Sequence, residues 1–577
     1  METKTNHSAT YSRFACIGAG FSGIGIGATL KRWYGITDIQ IFEREADLGG
    51  TWFINKYPGC ACDVPSVLYS YSFAPNAEWT RVLAPFNELQ AYLQKVAADY
   101  DLTSRIAFNS TVERCEWSEA RQRWRITVRD NSRGTVYYHE CQFLYSGIGQ
   151  LIEPKLPDIP GLDGFKGDIF HASRWPQDLS LKGKKVVVIG NGCTAAQIVP
   201  AIVDDTASLT QFIRSKHWYL EPLQASGLPV WRFLFRNVPG VLKMARFAIF
   251  AFGEYHFRGF HMTKSGTAHR KAHEADAKKY MKETAPEKYL DLLIPDYAIG
   301  CKRRIYDPGY LSALHNDKIT LTDNPIVEVV PEGVRTADGV TEADVIVMAT
   351  GYTTNTFLPR IDVIGRGGKT AKEHWDENDG VGAYNTTMMS GFPNFFFLLG
   401  PNTVTGHTST ILAIENAANY SMRIIKPVLD GKSVSVDCLP EAEVRYIQDI
   451  QDATHNTVFF AGGCNSWYFE EKDGKKPHNP TTYPYSQIHY WYRSMFPVYD
   501  DLAYTPPRNP RPLNPVRQFL KVAFFTIMIL MSAKGLRAFR AAVKEHGLKD
   551  LVMGYGAMAL IRVQMLRMKL QARVKKA

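Results

Sequence analysis

Two short glycine turns, each set between an apolar run and a stretch of small helix-forming residues, constrain this chain more than any other feature. The first is Ile17-Gly18-Ala19-Gly20-Phe21-Ser22-Gly23. The apolar residues 14–17 before it predict a buried parallel strand, and residues 24–33 after it predict a helix with small residues on its sheet side. In such a unit Gly18 allows the tight turn and Gly20 lets backbone approach a pyrophosphate. Gly23 brings the helix onto the strand, so that its N-terminal N–H groups face the phosphates. A second predicted strand, residues 39–42, ends at Glu43, a carboxylate placed for a ribose hydroxyl pair.

The second turn, Gly190-Asn191-Gly192-Cys193-Thr194-Ala195, follows the apolar run 185–189, and Ala195 takes the close-packing position. Its next strand, residues 209–213, leads into Arg214-Ser215-Lys216 and not into an acid. A cation and a hydroxyl suit a 2′-phosphate, so this site is expected to take NADPH rather than NADH, with Ala196, Ile213, Arg214 and Ser215 around it. Two nucleotide folds in one chain imply a two-cofactor oxidoreductase, with FAD at the first turn and NADPH at the second.

The expected fold class is α/β: two Rossmann-like dinucleotide-binding domains, a helical insert and a C-terminal helical tail. The chain's 577 residues suffice for several cores. Residues 1–150 and 345–514 are expected to form the FAD-binding domain and 151–220 and 299–344 the NADPH-binding domain. Residues 221–298 are expected to form the insert and 515–577 a basic amphipathic tail. Hydrophobic content of 45% with 21% charged residues excludes overall disorder. The polar first twelve residues lack the apolar core of a secretory leader, so an intracellular, cytoplasmic location is expected. Nine scattered cysteines give no disulfide framework and no metal-ligand pattern, so no metal is expected. Cys60-Ala61-Cys62 reads as small-residue packing beside a cofactor.

The net charge of +10 is concentrated at the C-terminal end. Residues 515–577 carry 13 Lys/Arg against two acids, leaving 54 basic and 55 acidic residues before them. This tail holds an uncharged run, 522–533, too short to span a bilayer, which needs ~20 residues. It is suited either to a membrane interface or to packing on the protein body. No nucleic-acid-binding motif accompanies the charge.

Two further runs carry a resemblance. One is Gly49-Gly50-Thr51-Trp52, then Tyr57-Pro58-Gly59, then Asp63; the other is the F-x-G-x-x-x-H-x-x-x-W-P run from Phe165 to Pro176, with Gly167, His171 and Trp175. Together they resemble the fingerprints of class B flavin monooxygenases of the Baeyer–Villiger type. Ala172 stands where that pattern most often has Thr. The resemblance extends from about residue 12 to about 495 and takes in Asp344–Tyr352, Pro393–Thr403, Gly463–Tyr468 and Cys301–Tyr310. It implies that Thr51, Trp52, Phe53, Ile54, Asp63 and Tyr69 serve FAD. Ala61, Cys62, Lys302 and Trp467 would serve NADP. Arg303 would reach over the flavin, although the sequence leaves open which of Lys302, Arg303 and Arg304 faces it. His171 and Trp175 are expected to link the two nucleotide folds and not to touch substrate.

The implied reaction uses NADPH, O2 and a C4a-peroxyflavin to insert one oxygen beside a ketone carbonyl. Arg303 would hold the developing anion and Asp63 would position Arg303. Within the insert, residues 230–252 are apolar and aromatic, which suits a bulky lipophilic ketone, a membrane surface or a helical core; residues 268–289 follow a charged helical pattern. Two other functions stay open at this stage: a flavin-dependent N- or S-oxygenase, and a membrane-tethered flavoprotein without oxygenase turnover.

Overall fold

A computed structural model describes residues 9–223, 228–470 and 477–507. The basic tail lies outside the described residues. Strand β1, Thr10–Ile17, pairs in parallel with β2, Ile39–Phe42, and with β6, Thr135–Ser146. Successive β1 residues enter different cores: Phe14 and Cys16 face one, Ala15 and Ile17 another. A strand buried on both faces reads as a continuous apolar run, which is how the sequence presents it. The sheet extends through the antiparallel strands β5, Arg123–Asp130, and β4, Ser110–Ser118. On its other side β3, Ile106–Ala107, pairs with β2. Two late strands return to it: β17, Asp362–Ile364, beside β4, and β18, Phe395–Phe397, beside β6. Trp124 fixes that return, donating its indole N–H to Pro393 O at 2.8 Å.

The second sheet is wholly parallel, in the order β12 (Ile319–Thr322), β9 (Ser208–Phe212), β8 (Lys185–Ile189), β16 (Val345–Met348), β7 (Asp168–His171). Between β12 and β16 lies a small antiparallel meander, β13 (Glu328–Val330), β14 (Gly333–Thr336) and β15 (Gly339–Glu342). Helix α1, Phe21–Tyr34, follows the first turn, and α4, Cys193–Ile202, follows the second. Between them the short helix α2, Thr51–Ile54, and the longer α3, Phe86–Asp99, belong to the loops leaving the first fold.

The insert is helical, as its sequence predicts: α5, Leu228–Asn237, α6, Val241–Phe257, and α7, Lys264–Thr284. Much of its apolar content faces outward, with Phe233, Met244, Phe247 and Phe252 each more than 60% exposed. Two strands bracket it. β10, Tyr219–Leu220, pairs in parallel with β11, Ile305–Tyr306, so the chain re-enters beside the point where it left. Among the described residues no helix is long and apolar enough to cross a membrane.

One cysteine expectation is corrected. Cys301 and Cys464 form a disulfide across 163 residues of chain; the other seven cysteines are free. Local spacing carries no trace of a pairing that only tertiary folding creates.

The first turn is tightly packed. A Cβ added at Gly23 would lie 2.0 Å from the carbonyl oxygen of Gly18, a backbone atom that cannot yield without moving α1 off β1. Gly23→Ala is therefore expected to lower the thermal midpoint and to yield protein depleted in bound flavin, read from visible absorbance per chain. A variant with full flavin content and an unchanged midpoint would contradict this packing argument.

Candidate active site

The first turn and the loops beyond it enclose a cavity of about 470 Å3. Gly18 sits at φ +99°, and a Cβ there would meet Gly147 O at 2.6 Å. Gly20 lies against the backbone of Gly49 and Gly50: a Cβ there would stand 3.5 Å from Gly50 Cα, in van der Waals contact, and all three glycines line the cavity. Glu43 lies buried at the end of β2, where its Oε2 accepts from Ala19 N at 2.7 Å and its Oε1 from Glu45 N at 3.0 Å. Burial pushes its carboxyl up, and these two backbone N–H groups pull it back in part. Each oxygen keeps a lone pair for a ribose hydroxyl. A glycine cradle beside a buried acceptor-only group fits a dinucleotide.

Thr51, Trp52 and Ile54 from α2 line the same cavity, as do Ala61, Cys62, Asp63 and Tyr69. Trp52 donates its indole N–H to Tyr69 Oη at 3.3 Å. Phe53 lies off the cavity wall; the Lys56 ammonium sits 3.9 Å from its ring centroid.

The central feature is a fork between a guanidinium and a carboxylate. Arg303 donates from Nε to Asp63 Oδ2 and from Nη2 to Asp63 Oδ1, both at 2.6 Å. The paired β10 and β11 deliver residues 301–304 to this place. Burial alone would raise the Asp63 carboxyl, but the Arg303 charge and hydrogen bonds outweigh it and leave Asp63 below the usual carboxylate range. Asp63 in turn holds Arg303 more firmly protonated. Of the three neighbouring cations, Arg303 lines the cavity; Lys302 and Arg304 do not. Burial pushes the Cys60 and Cys193 thiols up to about 12, and Cys62 rises well above its ordinary value. These thiols remain protonated at neutral pH and offer no thiolate.

At the second turn Gly190, at φ +116°, would place a Cβ 2.4 Å from Ala349 O, whereas one at Gly192 would meet nothing within 4 Å. Asn191 donates its side-chain N–H to Ser215 O, tying the turn to the segment after β9. Cys193 and Thr194 reach the cavity wall; Ala195, Ala196 and Ile213 are buried in the core. Beyond β9, burial and then the Arg214 charge lower the Lys302 ammonium, an effect Asp296 only partly offsets. His217 is pushed down to about 4 by burial and then by Lys302. Its Nδ1 is buried without a hydrogen-bond partner. Two mutually repelling cations beside an orphaned ring nitrogen fit a phosphate group.

The two folds are clamped together by Gln197 of α4. Its Oε1 accepts from Tyr57 Oη at 2.9 Å, and its Nε2 donates to Ala61 O at 2.9 Å. A Cβ at Gly59 would strike Gln197 O at 2.4 Å. The Tyr-Pro-Gly motif thus grips the opposite nucleotide fold. The run around His171 fastens a second junction. His171 Nε2 donates to Gly351 O at 2.9 Å, its Nδ1 lies 2.8 Å from Ser173 Oγ, and Arg174 pairs with Glu45. No residue of that run lines the cavity.

Trp467 stands on the cavity wall, 43% exposed, with its ring 4.4 Å from that of buried Tyr468. The Cys301–Cys464 disulfide joins their loop to the Arg303 loop. Helix α6 is anchored beside the cavity at two points. Arg246 donates to Val67 O and Ser70 O, and Glu254 accepts from His407 Nε2 at 2.7 Å. Tyr69 and Thr408, next to those anchors, are both wall residues. Sequence reasoning missed Gln197, His217 and Arg246, whose residue types carry no local signature, and gave Tyr468, inside a resembling run, no role.

Residues 11–247 match the family of flavin-binding monooxygenase-like proteins. A Baeyer–Villiger monooxygenase of Streptomyces coelicolor is 38% identical over 464 residues, covering 79% of this chain and 86% of its own. One from Pseudomonas aeruginosa is 34% identical over 501 residues, covering 87% and 92%. Among solved structures, an oxidized steroid monooxygenase bound to NADP superposes with TM-score 0.73 at 26% identity, covering 86% of this chain and 100% of that one. A cyclohexanone monooxygenase from Rhodococcus bound to NADP+ gives 0.74 at 25% identity, covering 87% and 100%. With its two glycine turns, its Arg303–Asp63 fork and these relatives, the chain belongs to the Baeyer–Villiger branch of the flavin-binding monooxygenases.

Proposed function

We propose that this enzyme inserts one oxygen atom beside the carbonyl of a bulky lipophilic ketone, giving an ester or lactone, with FAD at the first turn and NADPH at the second. The observation that carries this reading is a permanently charged guanidinium, aligned by a carboxylate, on the wall of the cavity. Bound beside one another at the two turns, FAD and NADPH would together supply an activated oxygen derived from O2. Arg303 stabilises the negative charge that develops on the substrate's carbonyl oxygen as the carbon becomes tetrahedral. Its Nε and Nη2 are occupied by Asp63, and Nη1 makes no hydrogen bond among the described residues. That nitrogen is the donor available to the substrate. Asp63 is a positioning residue: it fixes the plane of the fork and touches no reacting atom. Oxygen transfer to an amine or sulfide forms no carbonyl oxyanion, so this arrangement favours the ketone reaction.

Lys302, Arg214 and Ser215 take the 2′-phosphate of NADPH in this reading, with His217 alongside. Trp467 covers the nicotinamide end. Leu399, Val404, Ile414 and Trp467 contribute apolar surface to the cavity wall. Together with the aromatic insert anchored beside Tyr69 and Thr408, this supports a lipophilic substrate.

Arg303→Ala is expected to retain NADPH-driven flavin reduction, followed by anaerobic bleaching, while ester yield from a ketone substrate falls by ~10²–10³-fold, the usual loss for one oxyanion donor. Ester yield near that of the unaltered enzyme would remove Arg303 from the mechanism.

Lys302→Ala and Arg214→Ala should each raise KM for NADPH by about 10–100-fold, the range for a hydrogen bond to a charged group, and leave KM for NADH nearly unchanged. Equal changes for both nucleotides would refute the 2′-phosphate assignment.

For Asp63, whose folded carboxyl titrates below its ordinary 3.8, the linkage has a defined sign. Its stabilising contribution is present above that ordinary value and is lost as pH falls through the lower folded one. Asp63→Asn should therefore lower the stability at neutral pH by roughly 2–3 kcal/mol for a partly exposed pair, seen as a lower thermal midpoint, and flatten the acid limb below about pH 4. An acid limb as steep as before would show that other carboxylates govern it.

A further inference from the structure

Among the described residues one group of side chains has the composition of a metal site, and it lies in the helical insert. His269 and His273 stand one turn apart on α7, so their rings leave the same face. His256 comes from the last turn of α6 and meets them across the helix pair. Its Nδ1 is 3.0 Å from Nε2 of His269 and 2.9 Å from Nε2 of His273. Ligand atoms, one from each ring, all lie within 4.8 Å of one another.

Hydrogen bonding alone does not account for this convergence. A neutral imidazole nitrogen carries either one hydrogen or one in-plane lone pair. Nδ1 of His256 can make one full hydrogen bond, yet it faces two ring nitrogens at hydrogen-bond distance. Three imidazoles that converge from two helices, with one ring nitrogen each brought together, are the donor set of a borderline divalent cation. Zinc–nitrogen bonds of ~2.0–2.1 Å in tetrahedral geometry place ligating nitrogens about 3.3 Å apart, a few tenths beyond the two contacts here.

We propose that His256, His269 and His273 form a three-histidine site for a divalent cation of the Zn2+ class, separate from the cofactor cavity, with its fourth position open. None of the three lines the cavity. The ion would staple α6 to α7 and so steady the helix that Arg246 and Glu254 anchor beside the cavity wall. Asp276, three residues beyond His273, contributes a favourable negative charge. Against the ion stand the charges of Arg304 and Arg258. The Arg258 Nη2 lies 3.2 Å from His269 Nδ1, which puts that ring's proton on Nε2, the nitrogen the metal needs. Arg258 is exposed, so its head can turn into solvent when the ion binds. It follows that Arg258→Gln should tighten binding.

The test is equilibrium dialysis of the purified, flavin-loaded enzyme against micromolar Zn2+ after EDTA treatment, with elemental analysis and thermal melting. The expected result is one zinc per chain and a raised thermal midpoint. Visible ligand-field bands should appear when Co2+ replaces zinc. His256→Gln and His269→Gln should each weaken binding by at least ~100-fold and abolish the thermal response, with flavin content confirming that they fold. Arg258→Gln should bind several-fold tighter than the unaltered chain. Zinc retained by both histidine variants, or no zinc bound at micromolar concentration, would overturn the proposal. Neither readout depends on ketone oxidation, so the site stands or falls independently of the proposed reaction.

Discussion

The fork between Arg303 and Asp63 is the contact toward which the rest of the chain is arranged. Its two members are 240 residues apart, one on the loop leaving the first nucleotide fold and the other at the return from the helical insert. Both side chains are only partly exposed, and each compensates the charge of the other. A fold that brings one without the other would strand an uncompensated charge. The pairing of β10 with β11, the disulfide behind Cys301 and the clamp of Gln197 on the Tyr57 loop all act on the segments that carry the pair. The proposed chemistry would therefore rest on a register between distant pieces of chain and not on any one motif.

Much of this was legible from residue order because backbone demands are local. Gly18 and Gly190 adopt positive φ with a carbonyl where a side chain would go, so glycine at those places announces its own geometry. β1 and β8 alternate between two cores, and an unbroken apolar run is the only sequence that satisfies both. The sequence left three candidate cations at 302–304, and the structure sets Arg303 on the cavity wall. Partners across the fold were another matter. Gln197 is an ordinary glutamine on an ordinary helix; only its bonds to Tyr57 and Ala61 across the fold make it a clamp. The Cys301–Cys464 bond joins residues whose separation says nothing about contact. His269 and His273 did carry a local signal, their one-turn spacing on a charged helix, but His256 completes the group from another element. The outward-facing aromatic residues of α5 and α6 were equally compatible with a buried core until the helices were placed.

The insert differs in kind from the two sheets. Its helices leave large apolar side chains in solvent, yet α6 is fixed by charged groups at both ends, Arg246 to backbone carbonyls and Glu254 to His407. Such a helix has a defined position without a large core of its own. Its displacement would break polar contacts beside two wall residues at once, so its position and the shape of the cavity are linked.

Gly59 has a consequence for how such chains can be altered. Because its missing side chain lets the first fold lie directly on the backbone of α4, the two halves share a surface cut to fit. They are not interchangeable cassettes. A chimaera that replaced residues 185–213 to change nucleotide preference would have to carry over the helix-side glutamine and its backbone contour with the new phosphate-binding residues. Otherwise the guest fold would bind its nucleotide correctly and still hold it at the wrong distance from the flavin.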